Sequence, residues 1–331
     1  MSRDWRYARG LHALGNGAYA YLQPDGGWGW SNAGFVESDG ESLLVDTLFD
    51  ERLTADMLTE IRDATGLRAQ DIGTLVNTHA HGDHTHGNAL LEQATIVASE
   101  AGALEMEEMP PQALAEMLRN APHMGATGHY LTRIFSDFDF ASVRGKPPTQ
   151  TFVGDLTLRV GDLDVHALQV GPAHTVGDVI VHVPERRVVF TGDILFVDTT
   201  PIMWSGPVSN WLRACDRILA LDADVIVPGH GPITDAAGVQ AMRGYLEYIE
   251  REARKRFDAG LDVLDAALDI ALGDYDSWGD AERIAANVDV LYREFRGDET
   301  PADPRRLFEL MARIDLERRG RRTARPSSAR P

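Results

Sequence analysis

The feature that most constrains this chain is a histidine-rich string that follows directly on an apolar run. GTLVNTH is typical of a buried β-strand, and the string NTHAHGDHTHGN continues from its end. The motif H-x-H-x-D-H therefore places His79, His81, Asp83 and His84 within six positions. Imidazole and carboxylate groups are the usual protein donors for Zn, Fe or Mn. Four such donors so close together favour a metal site over a solvated polar turn.

Three further donors recur where other apolar runs end. His174 stands in GPAHTVGD after DVHALQV, Asp193 in TGD after RVVF, and His230 in PGHGP after ADVIV. Each is flanked by glycine or proline, which let the backbone turn sharply. Together with the first string they make seven donors, which is enough for two metal ions.

These motifs resemble the metallo-β-lactamase superfamily, which carries the same H-x-H-x-D-H string followed by His, Asp and His. The resemblance covers roughly residues 15–235 and implies an α/β fold, an αββα sandwich with the site at one edge. It also implies two Zn²⁺ ions, with Fe or Mn as alternatives because nitrogen and oxygen donors accept all three. By this resemblance the first metal would be held by His79, His81 and His174, the second by Asp83, His84 and His230, and both by a bridging Asp193.

The same resemblance implies hydrolytic chemistry at this pair of cations. A metal-bridging hydroxide would attack a carbonyl, and the metals would stabilise the oxyanion that forms. Asp83 is the candidate catalytic residue, because it could orient the hydroxide and shuttle a proton to the leaving group. Asp46 and Thr78 each end an apolar strand and are candidates to hold the imidazoles in place. Ordinary strand-end capping is the alternative role for both.

Differences within the superfamily narrow the activity. The commonest zinc β-lactamases have cysteine where Asp193 stands, and di-iron redox relatives have a carboxylate where His81 stands. With these two branches set aside, the motifs of this chain resemble those of the glyoxalase II-like hydrolases of esters, thioesters and lactones. The strings SNAGFV, LLVDT, GPAHT, FTGD and VPGHGP are closer still to a bacterial subgroup with polyketide cyclase or thioesterase character.

Three functional hypotheses follow. The first is a metal-dependent hydrolase of an ester, thioester or lactone. The second is an aromatic polyketide cyclase of the same fold, in which the metals act as Lewis acids for aldol closure and dehydration. The third is a non-catalytic metal-binding protein, which is disfavoured because a structural site usually closes with four protein ligands.

The order of sequence patterns predicts how the chain is organised. Residues 1–235 should form the catalytic domain, with a methionine-rich helical insertion or lid at 99–145. Within this domain, apolar positions Leu53, Met57, Leu58 and Ile61 predict one helix over about Glu51 to Thr65. Residues 236–317 should form a helical extension packed on the domain, with a homodimer surface as its alternative role. The basic segment 318–331 is predicted to be disordered.

Aromatic residues near the predicted ligands are candidates for substrate contact. Trp28 and Trp30 lie in the glycine-rich turn PDGGWGW and could flap over a substrate, and Phe196 and Trp204 follow Asp193 in ILFVDTTPIMW. Aromatic faces favour planar or apolar ligands, so we expect a small apolar or aromatic substrate. Core packing is the alternative role for each of these side chains.

Charge and composition exclude several partners. The net charge is −19, and residues 318–331 hold six arginines and no acids, so the rest of the chain carries −25. Such a surface repels nucleic-acid phosphates and anionic membranes. We expect a cytoplasmic protein, because no apolar run is long enough to be a signal peptide or a membrane span. The single cysteine, Cys215, excludes an internal disulfide and is expected to be a buried thiol.

Overall fold

The computed structural model describes residues 5–108 and 110–324, with side chains up to residue 320. Its first sheet has seven strands in the order β1-β2-β3-β4-β5-β6-β7, antiparallel through β4 and parallel from there on. The bounds of these strands are Gly10–Gly15, Ala18–Leu22, Ala33–Ser38, Glu41–Val45, Thr74–Val76, Thr95–Ser99 and Gln150–Phe152.

The second sheet has five strands in the order β12-β11-β10-β9-β8. All neighbours are antiparallel except β11 and β12, which run parallel. Parallel neighbours need a long crossover, and α6 (Val208–Ala220) supplies it here. In chain order the strands β8 to β12 are Asp155–Val160, Leu163–Gln169, Val179–Val183, Val188–Phe190 and Val225–Val227.

The two sheets pack face to face, and alternation along the strands decides which side chains meet between them. In β3 and β4, Val36, Leu43 and Val45 join the inter-sheet core, whereas Phe35 and Leu44 join the core beneath the outer helices. Successive side chains of a strand point to opposite faces, so both faces of this sheet are buried. The predicted αββα sandwich is therefore confirmed.

The helix α1 (Glu51–Thr65) shows how local sequence sets these outer elements. Asp50 caps its first turn by accepting a hydrogen bond from the backbone N–H of Leu53 at 2.7 Å. Gly66 ends it in the left-handed region at φ 83°, a conformation that glycine adopts without strain. The predicted bounds and the predicted buried face are both confirmed; that face comprises Leu53, Met57, Leu58 and Ile61.

Three of the helices lie in the segment predicted as an insertion. They are α3 (Glu100–Glu108), α4 (Pro111–Asn120) and α5 (Gly125–Phe135), and they follow the short helix α2 (Gly82–Thr85) of the histidine-rich string. Of its four methionines, Met106 and Met117 are half-buried, Met124 is exposed, and Met109 lies outside the described residues.

The C-terminal extension contains four helices. They are α7 (Ala236–Asp258), α8 (Val263–Asp269), α9 (Ile284–Arg296) and α10 (Pro304–Ala324). Its buried side chains belong to the same hydrophobic cluster as those of α1 and α5, and α10 packs against α5. The extension therefore shares one core with the sandwich.

Part of the segment 318–331, for which we predicted disorder, lies within the described residues. The helix α10 continues to Ala324, and residues 325–331 lie outside the described range. Arg318 pairs with Asp276 at 2.5 Å, and Arg319 pairs with Asp315 one turn earlier at 3.0 Å. These ion pairs give the basic segment partners that its composition does not reveal.

Two other predictions concern the chain as a whole. Cys215 is a free thiol buried on α6, as its helical spacing indicated. Over the residues that the structure describes, no helix combines the length and the apolar character needed to cross a membrane.

Candidate metal centre

All seven predicted donors meet at one edge of the sandwich. His79 and His81 follow β5, and Asp83 and His84 lie in α2 directly after them. His174 follows β9 in the second sheet. Asp193 and His230 follow the parallel strands β11 and β12 of that sheet. Because these strands end at the same edge, donors more than 150 positions apart in the sequence become neighbours.

The donors form two groups, within each of which the ligand atoms all lie within 4.8 Å of one another. In the first group, Nδ1 of His81 lies 3.2 Å from Nε2 of His79 and 3.0 Å from Nε2 of His174. Donor atoms this close are spaced to share one ion. The first group comprises His79, His81, His174 and Asp193, and the second comprises Asp83, His84 and His230.

The carboxylate of Asp193 contacts both groups. Its Oδ2 lies 3.2 Å from Nε2 of His174 in the first group and 3.5 Å from Nε2 of His230 in the second. Its Oδ1 lies 3.1 Å from Nε2 of His84. This carboxylate therefore stands between the two sets of donors.

Two buried atoms of this cluster have no hydrogen-bond partner: Nε2 of His84 and Oδ1 of Asp193. They lie close together, but their geometry forms no hydrogen bond. Buried polar atoms in native proteins are nearly always satisfied. A divalent cation bound to both atoms would satisfy them, and nitrogen and oxygen donors of this kind suit such an ion. The residues present therefore fit the metals that the motif implies.

The protonation of the histidines differs within the site. Burial lowers the pKa of His174 to about 3 and that of His79 well below its ordinary value, because a buried imidazole loses hydration when charged. Burial also acts on His230, but the carboxylates of Asp193 and Asp83 outweigh it and raise the pKa to about 9. Asp193 and Asp83 themselves have lowered pKa values because His84 and His230 outweigh the effect of burial on both carboxylates. The carboxylates give the site the negative charge that a cation requires.

Comparison with known proteins agrees with this geometry. The family model of the metallo-β-lactamase superfamily matches residues 26–230, which include all seven donors. This chain belongs to the metallo-β-lactamase superfamily. The match ends before the helical C-terminal extension begins.

The individual relatives of this superfamily member are distant. A linear primary-alkylsulfatase from Pseudomonas sp. is 22% identical over 253 residues, which are 68% of this chain and 47% of that protein. A 2,4-dinitroanisole O-demethylase subunit alpha from Nocardioides sp. is 24% identical and covers 81% of this chain and 70% of its own. The acyl-coenzyme A thioesterase MBLAC2 of Homo sapiens is also 24% identical, over 60% of this chain and 72% of its own. This chain thus spans about half the length of the alkylsulfatase.

One solved structure resembles nearly the whole chain. The sec-alkylsulfatase of Pseudomonas sp. has a TM-score of 0.65 with 15% identity, and the likeness covers 95% of this chain and 57% of that one. At this identity the likeness shows the fold alone. Because so little of this chain falls outside the likeness, most of the C-terminal extension is part of the shared fold.

Around the candidate metal centre of this superfamily member, Asp46 and Thr78, the two residues predicted to support the imidazoles, both contact donor histidines. Oδ2 of Asp46 lies 2.9 Å from Nδ1 of His84. Thr78 donates to Asp46 twice, from its backbone N–H and from its hydroxyl, both at 2.7 Å. The hydroxyl of Thr78 also lies 3.1 Å from Nδ1 of His79. Partners of this kind fix the orientation of ligand imidazoles.

Several supporting groups cannot be predicted from the sequence because they are backbone carbonyls. The carbonyl of Ile202 lies 2.7 Å from Nδ1 of His174, and that of Gly26 lies 3.0 Å from Nδ1 of His230. Every residue has a backbone carbonyl, so the residue type does not indicate which carbonyl contacts a donor imidazole. Asn32 was not predicted either, although its motif SNAGFV is one of the strings that carry the family resemblance. Its amide donates to the carbonyls of Pro228 and Gly231, on either side of the His230 turn.

His86 lies inside the histidine-rich string but belongs to neither donor group. Its Nδ1 lies 3.2 Å from the carbonyl of Phe49, and its ring stacks on the Phe49 ring. Burial lowers its pKa to about 4. The motif H-x-H-x-D-H does not include His86, and its packing against Phe49 gives it a different role.

The four predicted substrate contacts have different surroundings. Trp204 lies next to the donors, with its ring 5.9 Å from that of His81. Phe196 is buried and stacks on the ring of His230 at 5.2 Å, so its ring packs against a candidate ligand imidazole. Trp30 packs on Phe138. Of these three, Trp204 and Phe196 each lie beside a ring of the first donor group, since Phe196 is also 5.6 Å from the ring of His174.

Trp28, for which we predicted a flap over the substrate, has contacts on several sides in this structure. Its indole N–H donates to Glu282 at 3.2 Å, and the guanidinium of Arg283 lies 4.5 Å from its ring. Its ring also contacts those of Trp204 and Phe308, at 6.5 and 5.8 Å. A side chain with a hydrogen bond and contacts on several faces is held in place, which the glycines of its turn did not indicate.

Proposed function

We propose that this protein is a dinuclear zinc hydrolase that cleaves an ester, thioester or lactone. The observation that carries the proposal is the division of seven donors into two groups with Asp193 between them. His79, His81 and His174 would hold one ion, Asp83, His84 and His230 the other, and Asp193 both. Two bound cations supply a water of lowered pKa and a Lewis acid for the carbonyl oxygen.

The side chain of Asp83 is placed to move the proton of this reaction. One of its oxygens lies 3.2 Å from Nε2 of His230, and the side chain keeps 13% exposure, whereas that of His84 is fully buried. The neighbouring histidines counter burial and lower its pKa, so it is a carboxylate at neutral pH. It takes up a proton as water attacks and returns it to the leaving group.

The aromatic surroundings favour an apolar acyl group. The indole of Trp204 stands beside His81 and in contact with Trp28, so a substrate carbonyl near His81 brings its acyl chain against this indole. Apolar surfaces bind such chains by removing them from water. The activity of the human thioesterase relative, which acts on acyl-coenzyme A by its name, agrees with a thioester substrate.

The aromatic polyketide cyclase is the second candidate, and the aromatic rings around Trp204 favour it. Trp28, Trp204 and Phe308 contact one another at ring separations of 5.8 to 6.5 Å, and aromatic faces suit a planar product. Mass spectrometry of the products distinguishes the two reactions. Hydrolysis releases a free acid, whereas cyclisation with dehydration removes water from the carbon chain.

Elemental analysis combined with a panel of thioesters and lactones tests the proposal. We expect close to two metal ions per chain, and we expect His79→Ala and Asp193→Ala to lose metal and turnover together. His129→Ala is the matched control, because His129 is exposed on α5. Full turnover in a verifiably metal-free sample would contradict the proposal. A fully loaded protein without turnover of any substrate would favour the non-catalytic alternative.

A further inference from the structure

One segment, residues 199–206, separates the candidate metal centre from the C-terminal extension. On the side of the metal centre, the backbone N–H groups of Trp204 and Ser205 both donate to the carbonyl of His174, at 3.1 and 3.2 Å. The carbonyl of Ile202, in the same segment, lies 2.7 Å from Nδ1 of the His174 imidazole. The backbone of this segment is thus tied to a ligand residue, and it carries Trp204 at that point.

The opposite side of the 199–206 segment is held by buried polar side chains of the extension. Asn287, on α9, accepts a hydrogen bond from the N–H of Met203 at 2.8 Å and donates to the carbonyl of Pro201 at 2.9 Å. Arg283 precedes α9 by one residue and donates to the carbonyl of Thr200 at 2.9 Å. These two side chains are four positions apart, so they project from the same side of the chain.

The same part of the extension holds Trp28. Oε1 of Glu282 accepts both the indole N–H of Trp28 and, at 3.1 Å, the hydroxyl of Tyr130. The guanidinium of Arg283 covers the Trp28 ring, and it is also paired with Asp280 at 2.9 Å. Trp28 is therefore fixed by a hydrogen bond and a cation–π contact from two adjacent residues.

We propose that Glu282, Arg283 and Asn287 are positioning residues that fix Trp204 beside His81 and Trp28 against Trp204, and thereby set which acyl groups the site accepts. The part concerning acyl groups rests on the proposed hydrolase function, whereas the placement of the two indoles does not. All three residues lie beyond residues 26–230, the part that matches the family model. The extension would in this way give a common catalytic site its own selectivity.

The chemistry of these residues favours positioning over simple packing. Glu282 and Arg283 are 6% and 2% exposed, and ionisable groups are rarely retained at such depth unless they have partners. Apolar residues of similar volume often replace a buried ion pair without loss of stability. The hydrogen bonds of these side chains go to the Trp28 indole, which contacts Trp204, and to a backbone segment that is hydrogen-bonded to His174.

Fluorine NMR of the metal-loaded protein containing 5-fluorotryptophan tests the placement. Trp28→Phe and Trp204→Phe assign the two resonances by their disappearance. We expect Glu282→Leu to shift the Trp28 resonance and Asn287→Ala to shift that of Trp204. Glu282→Gln should restore the Trp28 resonance, because its amide oxygen can still accept both hydrogen bonds.

The exposed residue Glu309 provides the matched control, because Glu309→Leu makes the same change on α10 and should leave both resonances in place. If Glu282→Leu does not fold, Asn287→Asp keeps the volume but removes the donor to Pro201, and it should still shift the Trp204 resonance. Unchanged resonances in the folded variants would overturn the proposal.

Kinetics with acyl thioesters of increasing chain length test the selectivity. We expect KM for the longest acyl chain to rise about tenfold in Glu282→Leu and Asn287→Ala, in line with the loss of one or two buried hydrogen bonds, while kcat for the shortest chain changes little. An equal loss of kcat for every chain length, or a loss of metal, would overturn the assignment. If the wild-type protein hydrolyses no ester, thioester or lactone, the proposed function fails, and the fluorine resonances alone decide the placement.

Discussion

Asp46 and His84 form a fully buried pair, with Oδ2 of Asp46 2.9 Å from Nδ1 of His84. The other carboxylate oxygen accepts the backbone N–H of Thr78, so the carboxylate cannot turn away. The imidazole is thereby oriented with Nε2 toward Asp193. One carboxylate that binds no metal in our proposal thus determines the direction of one ligand atom.

This pair predicts the effect of removing Asp46. Asp46→Ala frees the imidazole of His84 and leaves the hydroxyl of Thr78 without its acceptor, so we expect the affinity for zinc to fall about 10- to 100-fold. Competition with a chromophoric chelator measures the affinity. Asp56→Ala on the exposed face of α1 is the control. An unchanged affinity in Asp46→Ala would show that His84 needs no such support.

Zinc binding at pH 7 should release protons. The pKa of His230 is raised to about 9, since Asp193 and Asp83 outweigh the effect of its burial, so the chelator-treated protein holds a proton there. Metal binding must remove it, because only a neutral imidazole is a ligand. Calorimetric titration in two buffers of different ionisation enthalpy counts the protons. The release should diminish above pH 9, and buffer-independent heats at pH 7 would contradict this expectation.

Replacement of Trp204 should weaken the binding of apolar substrates more than it slows the chemistry. Trp204→Leu removes an aromatic surface beside His81, so we expect KM for long or aromatic acyl thioesters to rise about tenfold, which corresponds to roughly 1.4 kcal/mol. Steady-state kinetics with short and long substrates measure the difference. Trp278→Leu is the control, since Trp278 packs on Tyr245 in the extension. Equal effects of the two substitutions would argue against a substrate contact.

Glu294 should make stability depend on pH. Burial raises its pKa to about 7, although the N–H of Val208 donates to it at 3.0 Å. Between the ordinary value of 4.5 and about 7, the folded state holds a proton that the unfolded state has lost. The contribution of this group to the free energy of unfolding therefore falls as pH rises through that range.

Urea unfolding at several pH values, compared between the wild type and Glu294→Gln, measures this contribution. Because its amide does not titrate, Glu294→Gln should lack the part of the fall in the free energy of unfolding that Glu294 causes. The exposed-site variant Glu309→Gln should retain the wild-type profile. Identical profiles for wild type and Glu294→Gln would exclude Glu294 as the source.

The order of residues along the chain predicts most of the metal centre. His79, His174, Asp193 and His230 each follow an apolar run, and the family resemblance of their motifs implies a site at one edge of the sandwich, so the candidate donors can be named from the sequence. The same rule predicts Asp46 and Thr78 as supporting residues. It cannot predict the carbonyls of Ile202 and Gly26, because every residue has a carbonyl.

The motifs of the sequence, through the family resemblance that they carry, predicted the αββα sandwich and the candidate ligands, because each motif consists of residues near one another in the chain. The surroundings of those ligands were decided only by tertiary structure. Trp28 and Glu282 are 254 positions apart, and no local pattern marks two residues that meet through separately folded elements. The glycines of the Trp28 turn indicated mobility, whereas a carboxylate and a guanidinium from the extension hold the ring in place. Local sequence fixes what a side chain can do, and packing between distant elements fixes what it contacts.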